Sequence, residues 1–252
     1  EEFRTDGLIG GRGEDIDDAA SDRKLTGAFH HAAAAVTGGG ELVEQIFQTI
    51  VMYVDSAMVG RIGAHASAAV GVCSTATWLT GSLCFAAGVG FLAVISRDIG
   101  AGDHEHAKRT SAQSVLSSLL LGAVIAGLAV LASGFLPGWM GAEESLHHDA
   151  SIYFAIVSGA MLLRCPTIVF GSVLRAAGDM RSPMVVNATT NIINVIANFF
   201  LIYDTRTVAI GGHSFTVWGA GLGVAGAAWG TAFSYTIGFV MMLIVMYRSS
   251  LV

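Results

Sequence analysis

The chain alternates long apolar runs with short polar segments. Asp, Glu, Lys and Arg are absent from 66–96, 110–142, 182–203 and 207–247, and each window exceeds the roughly 20 residues a helix needs to cross a bilayer. The runs are continuous rather than split into alternating segments of about ten residues, which predicts helices and argues against a spanning barrel. With the intervening Gly-, Asp- and Pro-rich turns as boundaries, the pattern predicts six spans, at about 28–60, 67–96, 110–135, 151–174, 184–202 and 220–247. The first is the least regular, because Gly38, Gly39, Gly40, Glu41 and Glu44 dilute its first half. The stretch 204–216 reads as a polar loop. The fold class expected is an all-α membrane protein, a six-transmembrane-helix bundle over 28–248.

Composition agrees with that pattern. Of 252 residues, 53% are hydrophobic and only 13% charged, and the mean hydropathy is +0.64, well outside the range of a soluble domain. Residues 1–27 differ: Glu14, Asp15, Asp17, Asp18 and Asp22 crowd together between glycines, the composition of a solvated, disordered tail. That tail lacks the basic start and apolar core of a signal peptide.

The net charge of −6 says less than where the cations fall. Arg4, Arg12, Arg23, Lys24, Arg97, Lys108, Arg109, Arg175, Arg181 and Arg248 share one side of a six-span topology, Arg61 and Arg206 fall opposite, and Arg164 is inside a span. The positive-inside rule then predicts a cytoplasmic N-terminus, in a plasma membrane and by expectation a bacterial inner membrane. Nucleic acid is not an expected partner. Cys73, Cys84 and Cys165 have no paired or metal-type spacing and read as small buried hydrophobes.

Three features could carry chemistry. Asp55 closes the apolar run 46–54, and an acid there either faces a protein interior, as intramembrane acids with a function do, or sits at the water interface at little cost. Asn187, Asn191, Asn194 and Asn198 recur at spacings of four, three and four, which places four amides on one face of the fifth span. Such a stripe is either inter-helix glue or a cavity wall whose oxygens suit a hard cation such as Na⁺. Arg164 lies about halfway through the fourth span, where a lone cation is costly; its obvious candidate partner is Asp55, with Glu44 or a backbone carbonyl as alternatives.

In the sixth span, Gly219, Gly223, Gly226 and Gly230 predict close helix packing, with the Thr231 hydroxyl beside them. His30-His31 and His147-His148 are adjacent pairs, whose side chains diverge on a helix and offer no ready metal site. His213-Ser214 has no placed acid, and the Gly-rich turns precede no phosphate-loop lysine, so an enzyme is not expected.

Five motifs occur in an order that resembles the first half of the multidrug and toxic compound extrusion (MATE) family. They are Tyr53-Val54-Asp55-Ser56-Ala57-Met58-Val59-Gly60-Arg61-Ile62-Gly63 with Ala68-Ala69-Val70-Gly71; Ser96-Arg97 with Gly100-Ala101-Gly102; Leu174-Arg175-Ala176-Ala177-Gly178-Asp179; Asn194-Val195-Ile196-Ala197-Asn198; and Gly223-Val224-Ala225-Gly226-Ala227-Ala228-Trp229-Gly230-Thr231. The resemblance implies a secondary antiporter in which inward H⁺ or Na⁺ drives organic cations or other amphipathic small molecules outward, with no cofactor beyond the coupling ion. It implies that Asp55 is the ion or proton site, with Asn194, Asn198 and Thr231 around it and Arg164, Asn191 and Asn187 as further cavity or charge partners. Where one branch of the family carries a second acid, this chain has Asn198. Family members have twelve helices in two lobes, so the six spans are expected to be one lobe of a twelve-helix transporter. The second lobe is absent from the sequence, and either a truncated fragment or a half-transporter completed by a partner half or a second copy is expected. A lipid-linked precursor flippase of the same superfamily and a non-transporting scaffold half-protein are the alternative functions.

Overall fold

The computed structural model describes residues 44–210 and 213–248. The tail at 1–27 and the 28–43 part of the first expected span lie outside the described residues, as do His30 and His31. Helix α1 is described over 44–60, and it is followed by α2 (Ala64–Gly100), α3 (His104–Ala132), a single turn α4 (Leu136–Trp139) and a 3-10 turn (Glu144–Leu146). Then come α5 (His147–Ala176), α6 (Arg181–Ile202), strands β1 (Asp204–Ile210) and β2 (His213–Ala220), and α7 (Gly223–Arg248). Among the described residues, α2, α3, α5, α6 and α7 are long and apolar enough to cross a membrane. They fall on the second to sixth expected spans, and the chain is an all-α membrane protein with one small β element among the described residues.

The lobe is built around α5, which packs against α2, α3 and α7, while α6 packs on α7. Phe170, Val173 and Leu174 of α5 close a core with Ile95, Val186, Met242 and Met246, so one cluster ties together α2, α5, α6 and α7. A second cluster joins Cys84, Ile125, Met161 and Cys165. All three cysteines are free and buried, as small apolar side chains at helix contacts are. Outward faces are apolar too: Trp78, Leu79, Leu116, Leu120, Leu128 and Leu131 are all exposed, which suits hydrocarbon rather than water.

Two turns set the helix ends on one side. Asp103 N–H donates to Asp98 O at 2.9 Å and Gly102 N–H to Ile99 O at 3.0 Å; Asp179 N–H donates to Leu174 O at 3.0 Å and Gly178 N–H to Arg175 O at 3.0 Å. These paired bonds are Schellman closures, and they require the left-handed residue supplied by Gly102 (φ 78°) and Gly178 (φ 88°). In both turns the aspartate after the glycine opens the next helix. Asp103 Oδ1 accepts from His106 N–H at 3.0 Å, and Asp179 Oδ1 accepts from Ser182 N–H at 3.0 Å and Arg181 N–H at 3.2 Å. Burial works against the charged form of Asp179, but the bonds from Ser182 and Arg181 outweigh it and hold the carboxyl below its usual range.

The stretch 204–216 is not an irregular loop. Most of it belongs to an antiparallel hairpin whose register, from Asp204↔Ala220 to Ile210↔His213, leaves a two-residue connection. The reason is local: β-branched and aromatic residues on both sides of Gly211-Gly212 are the composition of a two-residue hairpin. Because β2 continues to Ala220, the last helix starts at Gly223 rather than 220.

On the hairpin side, Tyr203 Oη donates to Met58 O at 3.0 Å. The acceptor is one of the last carbonyls of α1, which has no partner within its own helix. Tyr203→Phe should therefore lower stability by about 1 kcal/mol, read as a lower melting temperature in detergent with ion binding retained.

Candidate ion site

Asp55, Asn194, Asn198 and Thr231 come from three helices and meet. Asn198 Nδ2 on α6 donates to Asp55 Oδ1 on α1 at 3.1 Å and lies 3.3 Å from Asn194 Oδ1. Thr231 on α7 stands 3.3 Å from the Asn194 amide nitrogen, and its own hydroxyl donates to Ala227 O at 3.0 Å. The four-residue step from Asn194 to Asn198 puts both amides on the α6 face toward α1 and α7. Asn194 and Asn198 are buried, at 7% and 2% exposure, and Asp55 is half-buried.

The Asn194 amide has two chemically distinct settings. With its nitrogen on Thr231, its oxygen accepts from Asn198 Nδ2 at 3.3 Å but also faces the Asp55 carboxylate; turned over, its nitrogen donates to Asp55 Oδ2 at 2.8 Å and Oδ1 at 3.2 Å. The second setting suits a bare carboxylate. The first sets that oxygen against the Asp55 oxygens, whose lone pairs repel it unless a proton or cation lies between them. The side chain at 194 is thus a neutral partner that fits both charge states of Asp55. Every donor atom here is a hard oxygen, from a carboxylate, amides and a hydroxyl, the set that fits Na⁺ and not a soft metal.

Close approach of α6 and α7 holds this arrangement. A Cβ at Gly226 would run into Leu201 O, and one at Gly230 would overlap Asn198 Oδ1. That amide oxygen is buried with no hydrogen-bond partner among the described residues. Two of the four glycines expected on one flank do not belong to this contact, since Gly219 lies in β2 and Gly223 is the first residue of α7 with open space around it. The stripe instead continues through buried Ser234 to Gly238, where a Cβ would meet Thr190 Oγ1 at 2.6 Å. The four-residue period from 226 to 238 was present in the sequence, with a serine in place of one glycine.

The remaining candidates fall elsewhere. Arg164 does not pair with Asp55: its guanidinium carbon lies 4.3 Å from the Tyr235 ring centroid, a cation–π contact. Tyr235 is one turn beyond Thr231 on α7, so an aromatic face takes the place of the expected carboxylate. Glu44 is engaged by others. Asn187 Nδ2 donates to Glu44 Oε1 at 2.6 Å, and Arg175 Nη1 lies 3.8 Å from Glu44 Oε2. Asn191 is half-buried between the two amide groups. His147 Nε2 is bonded to Ala142 O at 3.1 Å.

The sequence model described as MatE matches residues 42–200, most of the described chain and all of α6 except its end. The chain belongs to the MATE family. It is 25% identical over 205 residues to a protein of Thermotoga maritima named "Probable multidrug resistance protein NorM", covering 81% of this chain and 42% of that one. It is 29% identical over 155 residues to a Shewanella oneidensis protein named "FAD transporter", covering 59% and 33%. Among solved structures, an inward-facing multidrug resistance MATE transporter of the MOP superfamily aligns with a TM-score of 0.67 at 26% identity, over 81% of this chain and 43% of that one. A MOP superfamily transporter from Pyrococcus furiosus, described as having a reversed binding-pocket polarity, aligns with a TM-score of 0.73 at 25% identity, over 86% and 44%. The chain therefore spans about a third to two fifths of the length of these curated relatives. MATE family transporters are membrane proteins that are not enzymes.

Proposed function

We propose that this MATE chain is the ion-binding lobe of a secondary antiporter, in which H⁺ or Na⁺ entering through Asp55, Asn194, Asn198 and Thr231 drives organic cations or other amphipathic compounds out of the cell. The lobe acts with a second six-helix lobe or another copy, in a plasma membrane with its N-terminus cytoplasmic. The observation that carries this reading is the meeting of one half-buried carboxylate with two buried amides and a hydroxyl. Asp55 is the only carboxylate among them, so the site holds one cation at a time. Neutralising that carboxylate changes which way Asn194 is satisfied, and through Asn194 and Asn198 the charge state bears on the α1–α6–α7 contact. Alternating access then needs only rigid motion of helices around the site.

The test uses the purified chain in proteoliposomes, alone and together with the complementary lobe of a full-length MATE relative. An inward Na⁺ or proton gradient should drive a fluorescent organic cation across the membrane in the paired sample, and the chain alone should bind the coupling ion. No ion binding and no gradient-driven flux would overturn the antiporter reading. Ion-independent flux of a lipid-linked precursor would favour a flippase instead.

A further inference from the structure

The α1–α6 contact contains the acid–amide pair twice. Asn187 donates to Glu44 and Asn198 donates to Asp55, and both pairs join residues 143 apart in sequence. Each helix therefore carries its two members eleven positions apart, a step that brings a helix back to within about 20° of the same face and about 16 Å along its axis. The second rung lies where α5 ends and α6 begins, the end that the distribution of Lys and Arg assigns to the cytoplasm. Asn191 and Asn194 stand between the rungs at helical spacing.

The inner rung has one part that the outer rung lacks. Arg175 Nη1 lies 3.8 Å from Glu44 Oε2, with the two side chains only 17% and 15% exposed. That distance is about 1 Å longer than a charge-assisted hydrogen bond. A buried ion pair serving stability alone needs close geometry to offset desolvation, and this one is loose. The other oxygen, Oε1, is held by an amide at 2.6 Å, as Asp55 Oδ1 is held by Asn198.

We propose that Glu44, Asn187 and Arg175 form a second, inner station for the coupling cation, from which Arg175 displaces the ion toward the cytoplasm. The proposal rests on Asp55 being the outer station. A monovalent cation leaving Asp55 passes the Asn194 and Asn191 amides to Glu44, where it competes with the guanidinium for the same carboxylate. When the ion arrives Arg175 gives way, and when it leaves Arg175 returns. Glu44 is thereby compensated throughout, which avoids a bare charge inside an apolar lobe.

Binding of radiolabelled Na⁺ to the full purified chain at fixed pH tests this. The native chain should bind two Na⁺, Asp55→Asn and Glu44→Gln one each, and the double variant none. In the Asp55→Asn background, Arg175→Gln should tighten the remaining site by about tenfold or more, since a positive charge about 4 Å from an ion site opposes binding strongly. A merely structural ion pair would instead lose stability with no gain in affinity. If the coupling ion is H⁺, the same variants are read by the infrared carbonyl band of protonated carboxyl groups, which should lose one component per substitution. Glu44→Asp, which keeps the charge, and helicity by circular dichroism control for folding. A native ion count that Glu44→Gln leaves unchanged, in a folded variant, overturns the inner station and leaves the outer one standing. A count that Asp55→Asn leaves unchanged overturns the outer one.

Discussion

Asp55→Asn should abolish coupling-ion binding at the Asp55 site and ion-driven transport by any complete transporter containing it, with no loss of fold. The substitution keeps size and shape. Asn198 Nδ2 still finds an oxygen at position 55, so the α1–α6 contact of 3.1 Å survives. What disappears is the charge. Without it, the oxygens of Asn194 and Thr231 are neutral ligands alone, too weak to hold a monovalent cation against water, and no group remains to carry a proton. The stability outcome has a definite sign, because an ionised carboxylate half-buried in an apolar lobe pays a desolvation cost that an amide does not. The variant should therefore melt at the same temperature as the parent or higher, while affinity for the coupling ion at the Asp55 site falls by about two orders of magnitude or more. Titrated ion binding and a thermal melt on the same preparation check both. Ion-coupled transport at the parent rate by this variant would remove Asp55 from the mechanism.

Spans were legible because hydrocarbon imposes a simple condition, a long run without charge, and this chain meets it in four windows. The site was legible in part. The spacing of Asn194 and Asn198 placed both amides on one face of a helix, and the order of motifs implied that Asp55 and Thr231 belong with them. Which side chains touch across helices was not legible, because contact depends on the relative register of helices distant in sequence. Arg164 shows this: charge alone pointed to Asp55, while the packing of α5 against α7 put Tyr235 under the guanidinium. Glu44 shows it too. In the sequence it dilutes an apolar run and stands as an alternative partner for Arg164, and its equivalence to Asp55 appears once α1 and α6 are aligned and Asn187 is found opposite it. The hairpin at 204–220 was hidden for a different reason: its polarity between two spans is that of a loop, and its strand signal lies only in the β-branched and aromatic residues flanking Gly211-Gly212.

Gly230→Ala should damage the site through α7, although position 230 bears no functional atom. An added Cβ would overlap Asn198 Oδ1 and come within 3.1 Å of Asn198 Cγ and 3.2 Å of its backbone nitrogen. The amide must move, and moving it breaks the bond to Asp55 and the contact with Asn194. Alanine gains about 1 kcal/mol of intrinsic helix propensity over glycine, but overpacking a tight contact costs about 1–3 kcal/mol, so the net effect is a loss of stability together with weaker ion binding. Adding Asn198→Ala separates the two effects. It removes the overlapped atoms, so the double variant should recover most of its melting temperature, while its ion affinity stays low because Asp55 has lost its amide donor. Gly226→Ala should behave differently, since its added Cβ meets backbone, with Leu201 C at 2.7 Å and Ile202 N at 3.0 Å. No side-chain deletion relieves that contact, and the two helices must part. If Asn198→Ala restored ion binding as well as stability to Gly230→Ala, the Asn198 amide would have no part in holding the ion, and the small-residue stripe would serve packing alone.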